Sequence, residues 1–340
     1  MNPNAKENVP PPPPLTKTEK VFNYGAFSAH LSVFVVFLIL FATQTAEEKE
    51  LATVDIFRTE LGSITGSELE RDNMNYPVQL TTIGETYVPI YLLVFFALTA
   101  LVHLCYATNG FGTKAYTKFI DQEGWNPIRW GEYAATASLM TFILALVDGT
   151  REITSIVSIM GAIAATQIQG AVVEKSLKQQ ERHAFWKEVE DRLRIDDEDK
   201  KKRVQLTDEV DVSKAPQVSL TGVVAPTVTG WLLVLVAFFV IFYNFGYLVS
   251  DAKKVSDQVP SWLYAVGIVQ FIFFSSFGFV QLAQIDTLRN ERRDLKQGIV
   301  PRVPSFGRFE NVYILLSFAS KLSLGSFIAY GLWQRVRSSV

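Results

Sequence analysis

Seven apolar runs separated by polar connections organise this chain, at about 22–43, 83–106, 126–147, 153–173, 223–249, 261–283 and 311–333. Each is long enough to cross a bilayer, which takes about 20 residues as a helix. The pattern predicts an all-α membrane protein with seven transmembrane helices. Pro89 and Pro226 fall near span ends, where neighbouring helices can satisfy the freed carbonyls. Residues 1–21 are polar, with Pro10–Pro14 in a row, and read as a disordered tail or a polyproline ligand. The first run has the length of a true span, so no cleavable signal peptide is expected. The helical domain is expected over 22–334, with a long acidic connection at 44–82, a long charged one at 174–220 and a short tail at 335–340.

Composition agrees: 49% of the 340 residues are hydrophobic, 25 of them Phe. Cys105, the sole cysteine, excludes an intrachain disulfide and reads as a small hydrophobe on the second span. The net charge of −2 says little, but its distribution says more. The side bearing the N-terminus and the even-numbered connections holds 23 Lys and Arg, against 8 on the other. Without the long fourth connection the bias is still 12 to 8. Positive residues stay inside, so a cytoplasmic N-terminus and an extracellular C-terminus are expected.

Two charges lie deep within the apolar runs, away from their ends. Lys321 lies near the middle of the last span, and Glu132 lies inside the third. An ammonium at mid-bilayer costs roughly 2.5–3.5 kcal/mol or more, which makes it a functional candidate by default. Lys321 is also too far from either span end to snorkel to the interface. Together the two suggest a covalently derivatised amine with its counterion. The plainer alternative is an ion pair that fixes helix register, although such pairs add little net stability. Arg129, Glu132 and Thr136 share one helical face, as do Ser317 and Lys321. From that spacing Arg129 is expected to bias Glu132 toward ionisation, and Ser317 to hydrogen-bond near the lysine.

The run Asn126-Pro127-Ile128-Arg129-Trp130-Gly131-Glu132-Tyr133, with Ser317-Phe318-Ala319-Ser320-Lys321, resembles the heliorhodopsin signature on the third and seventh helices. His30 and His103 also match positions where that family carries histidines. The resemblance implies a microbial-rhodopsin-like bundle holding all-trans retinal as a Schiff base on Lys321, with Glu132 as sole counterion. It implies a cytoplasmic N-terminus, a homodimer, and a small β element in the first extracellular connection. Tyr133, Thr136 and Phe274 are expected in the chromophore pocket. His30 and His103 are proton-accepting candidates, since imidazole takes a proton near neutral pH. The function implied is a light receptor with a slow sensory photocycle. Light-driven or light-gated proton transport is the alternative, and a retinal-free transporter switched by the Lys321–Glu132 pair is a remote third.

A conventional pump is disfavoured. Pumping rhodopsins place a second carboxylate eleven residues after the first on the third helix, and an Asp four residues before the lysine. Ile143 and Ser317 occupy those positions here. The remaining carboxylates, Glu85 at the start of the second helix, Asp148, Glu152, Glu174, Asp286 and Glu310, read as solvated charges at helix ends. In the long connection, Phe185, Val189 and Leu193 mark an amphipathic helix ahead of a mixed charge run at 196–203, a candidate surface for a cytoplasmic partner or the inner leaflet.

Overall fold

A computed structural model describes residues 17–61, 78–108, 126–176, 220–254, 259–296 and 306–338. Pro10–Pro14, the periodic Phe185–Val189–Leu193 stretch and the 196–203 charge run lie outside the described residues. The seven expected spans are helices: α1 (Lys17–Ala42), α3 (Val88–Thr108), α4 (Pro127–Val147), α5 (Ile153–Ser176), α6 (Ala225–Lys254), α7 (Ser261–Lys296) and α8 (Phe306–Ser338). Each contains a stretch apolar and long enough to cross a membrane. A short helix, α2 (Ala46–Leu51), follows α1, and one π-helical turn, Leu220–Val224, leads into α6. Consecutive spans pack side by side, and α8 closes the ring against α1.

The first connection carries the small sheet. β1 (Thr53–Leu61) pairs antiparallel with β2 (Val78–Tyr87), with a bulge at Ile56/Phe57. The second span therefore begins at Val88 rather than near residue 83. Thr81, Thr82, Ile83, Thr86 and Tyr87 are strand-forming types, and hydropathy alone does not separate them from the helix that follows. Glu85 sits exposed on this strand instead of opening a helix, which corrects the sequence reading. The hairpin docks on the α4–α5 turn, where the Phe57 amide donates to the Arg151 carbonyl at 2.9 Å. Gly149 makes that turn possible: its φ of 91° lies in the left-handed region that side chains disfavour.

Side chains sort by neighbour. Phe37, Phe95, Phe96, Ile143, Phe238 and Leu324 interlock inside the ring, while Val36, Ile39, Phe239 and Ile272 face outward with more than half their surface exposed. In lipid the outward set is not a defect, since hydrocarbon is its solvent.

Candidate functional site

The start of α4 explains half of the motif. Asn126 caps the helix, its Oδ1 accepting from the Arg129 amide at 3.1 Å, and Pro127 occupies the first turn, where no amide partner is needed. From that cap, Glu132 and Thr136 fall on the inner face. Thr136 Oγ1 donates to Glu132 Oε1 at 3.0 Å. Lys321 reaches the same oxygen from α8, with Nζ 2.5 Å from Oε1. Lys321 is 2% exposed and Glu132 8%, so the pair is withdrawn from solvent.

Thr99 on α3 completes this cage, although the sequence reading did not single it out. Its hydroxyl accepts from Lys321 Nζ at 2.9 Å and lies 3.3 Å from Glu132 Oε1. The available signal was its spacing: Thr99 stands one turn before His103 on an otherwise apolar helix. The rings of Phe95 and Tyr133 each lie 5.6 Å from Nζ. A positive charge on this nitrogen thus meets a carboxylate, a hydroxyl and two π faces, all of which favour it.

Beside Lys321 opens a cavity whose walls include Tyr133, Thr136, Met140, Phe274, Phe277 and Ser317. Phe274, which the family resemblance put in the pocket, and Tyr133 and Thr136, neighbours of Glu132, line this cavity together with the lysine. Ser317 is buried on the same wall, but no hydrogen bond joins it to Lys321; its carbonyl accepts from Ser320 Oγ at 3.0 Å. An elongated apolar aldehyde fits this arrangement: an amine at one end, aromatic and Met walls beyond it, and a carboxylate behind the amine.

The histidines form a separate pair on the α1/α3 side. His30 and His103 stack with ring centroids 5.6 Å apart, and His30 meets Phe318, three residues before Lys321, edge-on at 5.2 Å. His30 Nδ1 is held by the Ala26 carbonyl at 2.7 Å and His103 Nδ1 by Asn23 Oδ1 at 3.1 Å. His30 Nε2 is buried without a partner among the described residues.

Arg129 does not serve Glu132, contrary to expectation. A helical side chain leans toward the N-terminus of its helix, and there Arg129 finds two other carboxylates. Its Nη2 lies 2.5 Å from Glu174 Oε1 of α5, and its Nη1 pairs with Glu310 of α8. Trp130 Nε1 donates to Glu174 Oε2 at 2.7 Å, and Asn126 Nδ2 donates to Glu310 at 3.1 Å. The Tyr313 ring covers the guanidinium at 4.6 Å. Gly170 leaves room for the Trp130 ring, which any Cβ there would strike at 2.4 Å. Glu174 and Glu310, expected in solvent, are 0% and 2% exposed. The sequence placed them at helix ends, and the folded bundle brings those ends together around one cation.

Asp148 is a third correction, at 1% exposed. Burial pushes its carboxyl from 3.8 up to about 8. Between those values the folded state holds a proton that the unfolded chain has released, so this group makes stability fall as pH rises through that window. Asp148→Asn is expected to flatten that part of the profile, checked by thermal unfolding in detergent from pH 4 to 9. An unchanged slope would contradict a buried neutral acid. Burial also raises Glu152, but hydrogen bonds from Thr154 and Ser155 outweigh it and leave that carboxyl below its ordinary range. Asp286 remains exposed, as expected, and accepts from Asn290 at 2.9 Å.

No curated protein matches the chain by sequence. Among solved structures, the fold is similar to that of a light-driven proton pump, LR (Mac), from Leptosphaeria maculans, at 11% identity and a TM-score of 0.51. That likeness covers 96% of this chain and 100% of the other, and at such identity it speaks for the fold alone. The heliorhodopsin family model matches residues 20–188, a stretch that contains the α4 motif and both histidines. With that match, and with a rhodopsin-like bundle around the buried lysine, the chain belongs to the heliorhodopsin family, retinal-binding membrane proteins that receive light.

Proposed function

We propose that this protein is a photoreceptor in which all-trans retinal is held as a Schiff base on Lys321, with Glu132 as counterion and a slow sensory photocycle. The observation that carries this reading is the 2.5 Å contact between a lysine and a glutamate buried on different helices at the mouth of an aromatic cavity. When bound, retinal supplies visible absorption and photoisomerisation. Glu132 balances the charge at Nζ, and Thr99 and Thr136 hold its carboxylate in place. Tyr133, Phe274 and Phe277 exclude water from the nitrogen and confine the chain of the chromophore.

The Lys/Arg bias supports a cytoplasmic N-terminus, which puts the β hairpin outside. Family resemblance supports a homodimer with the hairpin at its interface. The charged 174–220 connection is proposed as the cytoplasmic output surface. Proton transport is a second reading, favoured by the stacked His30–His103 pair, in which the unpartnered Nε2 of His30 can receive a proton. Photocurrent in membranes shown to carry the pigment separates the two: a current that reverses with the proton gradient supports transport, and its absence supports a sensor.

Glu132→Gln tests the counterion. It removes the negative charge but keeps the shape, so the visible band is expected to move to longer wavelength or give way to a near-ultraviolet band at neutral pH. A spectrum and pH titration identical to wild type would reject Glu132 in this role.

A further inference from the structure

A second polar site occupies the hairpin end of the bundle, outside the retinal cage. Asp148 follows the last turn of α4, its amide bonded to the Leu144 carbonyl at 2.9 Å. The carboxyl points at Gly267 of α7, where an added Cβ would stand 3.3 Å from Oδ2 and 3.0 Å from the Phe242 ring. The missing side chain at 267 is thus what admits the carboxyl. Asp148 Oδ1, Thr150 Oγ1 and Glu152 Oε1 are all buried without a hydrogen-bond partner among the described residues. So is Gln270 Oε1, one helical turn along α7 from Gly267, or about 4.5 Å of rise. The Gln270 amide continues inward, donating to the Ser320 carbonyl at 3.2 Å and Ser323 Oγ at 2.9 Å. Ser320 immediately precedes Lys321.

Buried polar atoms without partners are uncommon in folded proteins, and ordered water commonly satisfies them. Three of these four unpartnered oxygens belong to residues 148–152 at the α4–α5 turn, and the fourth belongs to Gln270, whose amide bonds to the residues flanking the lysine. Packing does not require them, since the surrounding Val266, Ile143 and Leu146 show that apolar side chains fill this layer.

We infer that Asp148 is a proton-exchange site at the hairpin end, passing its proton through Thr150 and Glu152 to outside water and linked through Gln270 and Ser323 to the Lys321 site. The exchange is a simple transfer: the carboxylic O–H gives its proton to water and is restored by the reverse step. Burial keeps the acid neutral to about pH 8, so it holds a proton to give at ordinary pH. The other titratable groups described at this end include Arg151 and Glu152 beside it, Lys49 and Glu50 on α2, Asp55, Arg58, Glu85 and Tyr87 on the hairpin, Tyr91 on α3, Tyr247, Asp251 and Lys253 on α6, Tyr264 on α7 and Tyr330 on α8. Among these, Asp55, Tyr87, Tyr91 and Glu152 are half-buried and the rest exposed, and burial alone, with no charged neighbour among the described residues, shifts Asp148. The link to Lys321 rests on the function proposed above; exchange at Asp148 does not.

Infrared spectroscopy of the retinal-free protein in nanodiscs tests the exchange directly. A carboxylic C=O band is expected at pH 6, absent in Asp148→Asn, lost on titration through about pH 8, and shifted down in D2O. No Asp148-dependent band, or one that never exchanges its proton for deuterium, would overturn the site. Gly267→Ala provides a second variant should Asp148→Asn fail to fold: its methyl crowds the carboxyl, and a shifted band is expected. Flash photolysis of the pigment then tests the link, with Asp148→Asn expected to slow recovery of the visible band at least tenfold. Unchanged recovery in a variant that has lost the infrared band would overturn the link and leave the exchange site standing. A protein that takes up no retinal would sink the photoreceptor reading, and the infrared titration would still decide Asp148.

Discussion

Lys321→Ala is expected to give a folded protein that stays colourless when retinal is added, while the wild type gains a visible band. Among the described residues the other lysines sit at the ends of helices, and only Lys321 Nζ opens on the aromatic cavity. No substitute amine is in reach, so the loss of visible absorption should be complete. The fold should survive, because the carboxyl left behind need not stay charged. Glu132 can take a proton from water rather than bear an isolated charge in an apolar layer, and Thr136 remains 3.0 Å away to hold it. Lys321→Ala and the double variant with Glu132→Gln should therefore unfold at similar temperatures. Retained colour in Lys321→Ala would remove the chromophore assignment. It would return the pair to the plainer reading, an ion pair that fixes helix register. Colour gained by wild type and lost here excludes the retinal-free transporter.

The number of spans was legible because each is one apolar run set off by charge, and a bilayer imposes a single length on all of them. The Lys321–Glu132 pair was legible for a related reason: an isolated charge in such a run needs a partner, and each run offered one candidate. What escaped were contacts between ends of distant helices. Arg129 lies one turn from Glu132 in sequence, and spacing alone joined them. Its actual partners stand 45 residues away on α5 and on the first turns of α8, and only the closed ring brings these together. Asp148, Glu174 and Glu310 were read as solvated because helix ends usually meet water. Here the turn against Gly267 and the crowding around Arg129 bury them. The boundary near residue 83 was lost because hydropathy does not distinguish a Thr- and Tyr-rich strand from the helix it feeds.

The Arg129 cluster yields the second large effect. Removing one member of a buried, hydrogen-bonded charge network costs about 3–5 kcal/mol, mostly because the remaining charges lose their compensation. Arg129→Met would strand Glu174 and Glu310 together, both almost fully buried and hydrogen-bonded to groups on α4. A loss of that size is expected in reversible unfolding in mixed micelles, and Arg129→Lys should recover only part of it. A lysine carries the charge but cannot present two nitrogens to two carboxylates as the guanidinium does. The triple variant Arg129→Met, Glu174→Gln, Glu310→Gln should regain most of the stability, since it removes all three charges at once. A loss below about 1 kcal/mol for Arg129→Met would mean that water reaches the cluster and screens it. The pigment supplies a second readout. No contact joins Arg129 to Glu132, so Arg129→Met should leave the absorption maximum nearly in place, whereas Glu132→Gln should displace it. A shift as large as that of Glu132→Gln would instead restore Arg129 to the Schiff-base environment where its sequence position first suggested it belonged.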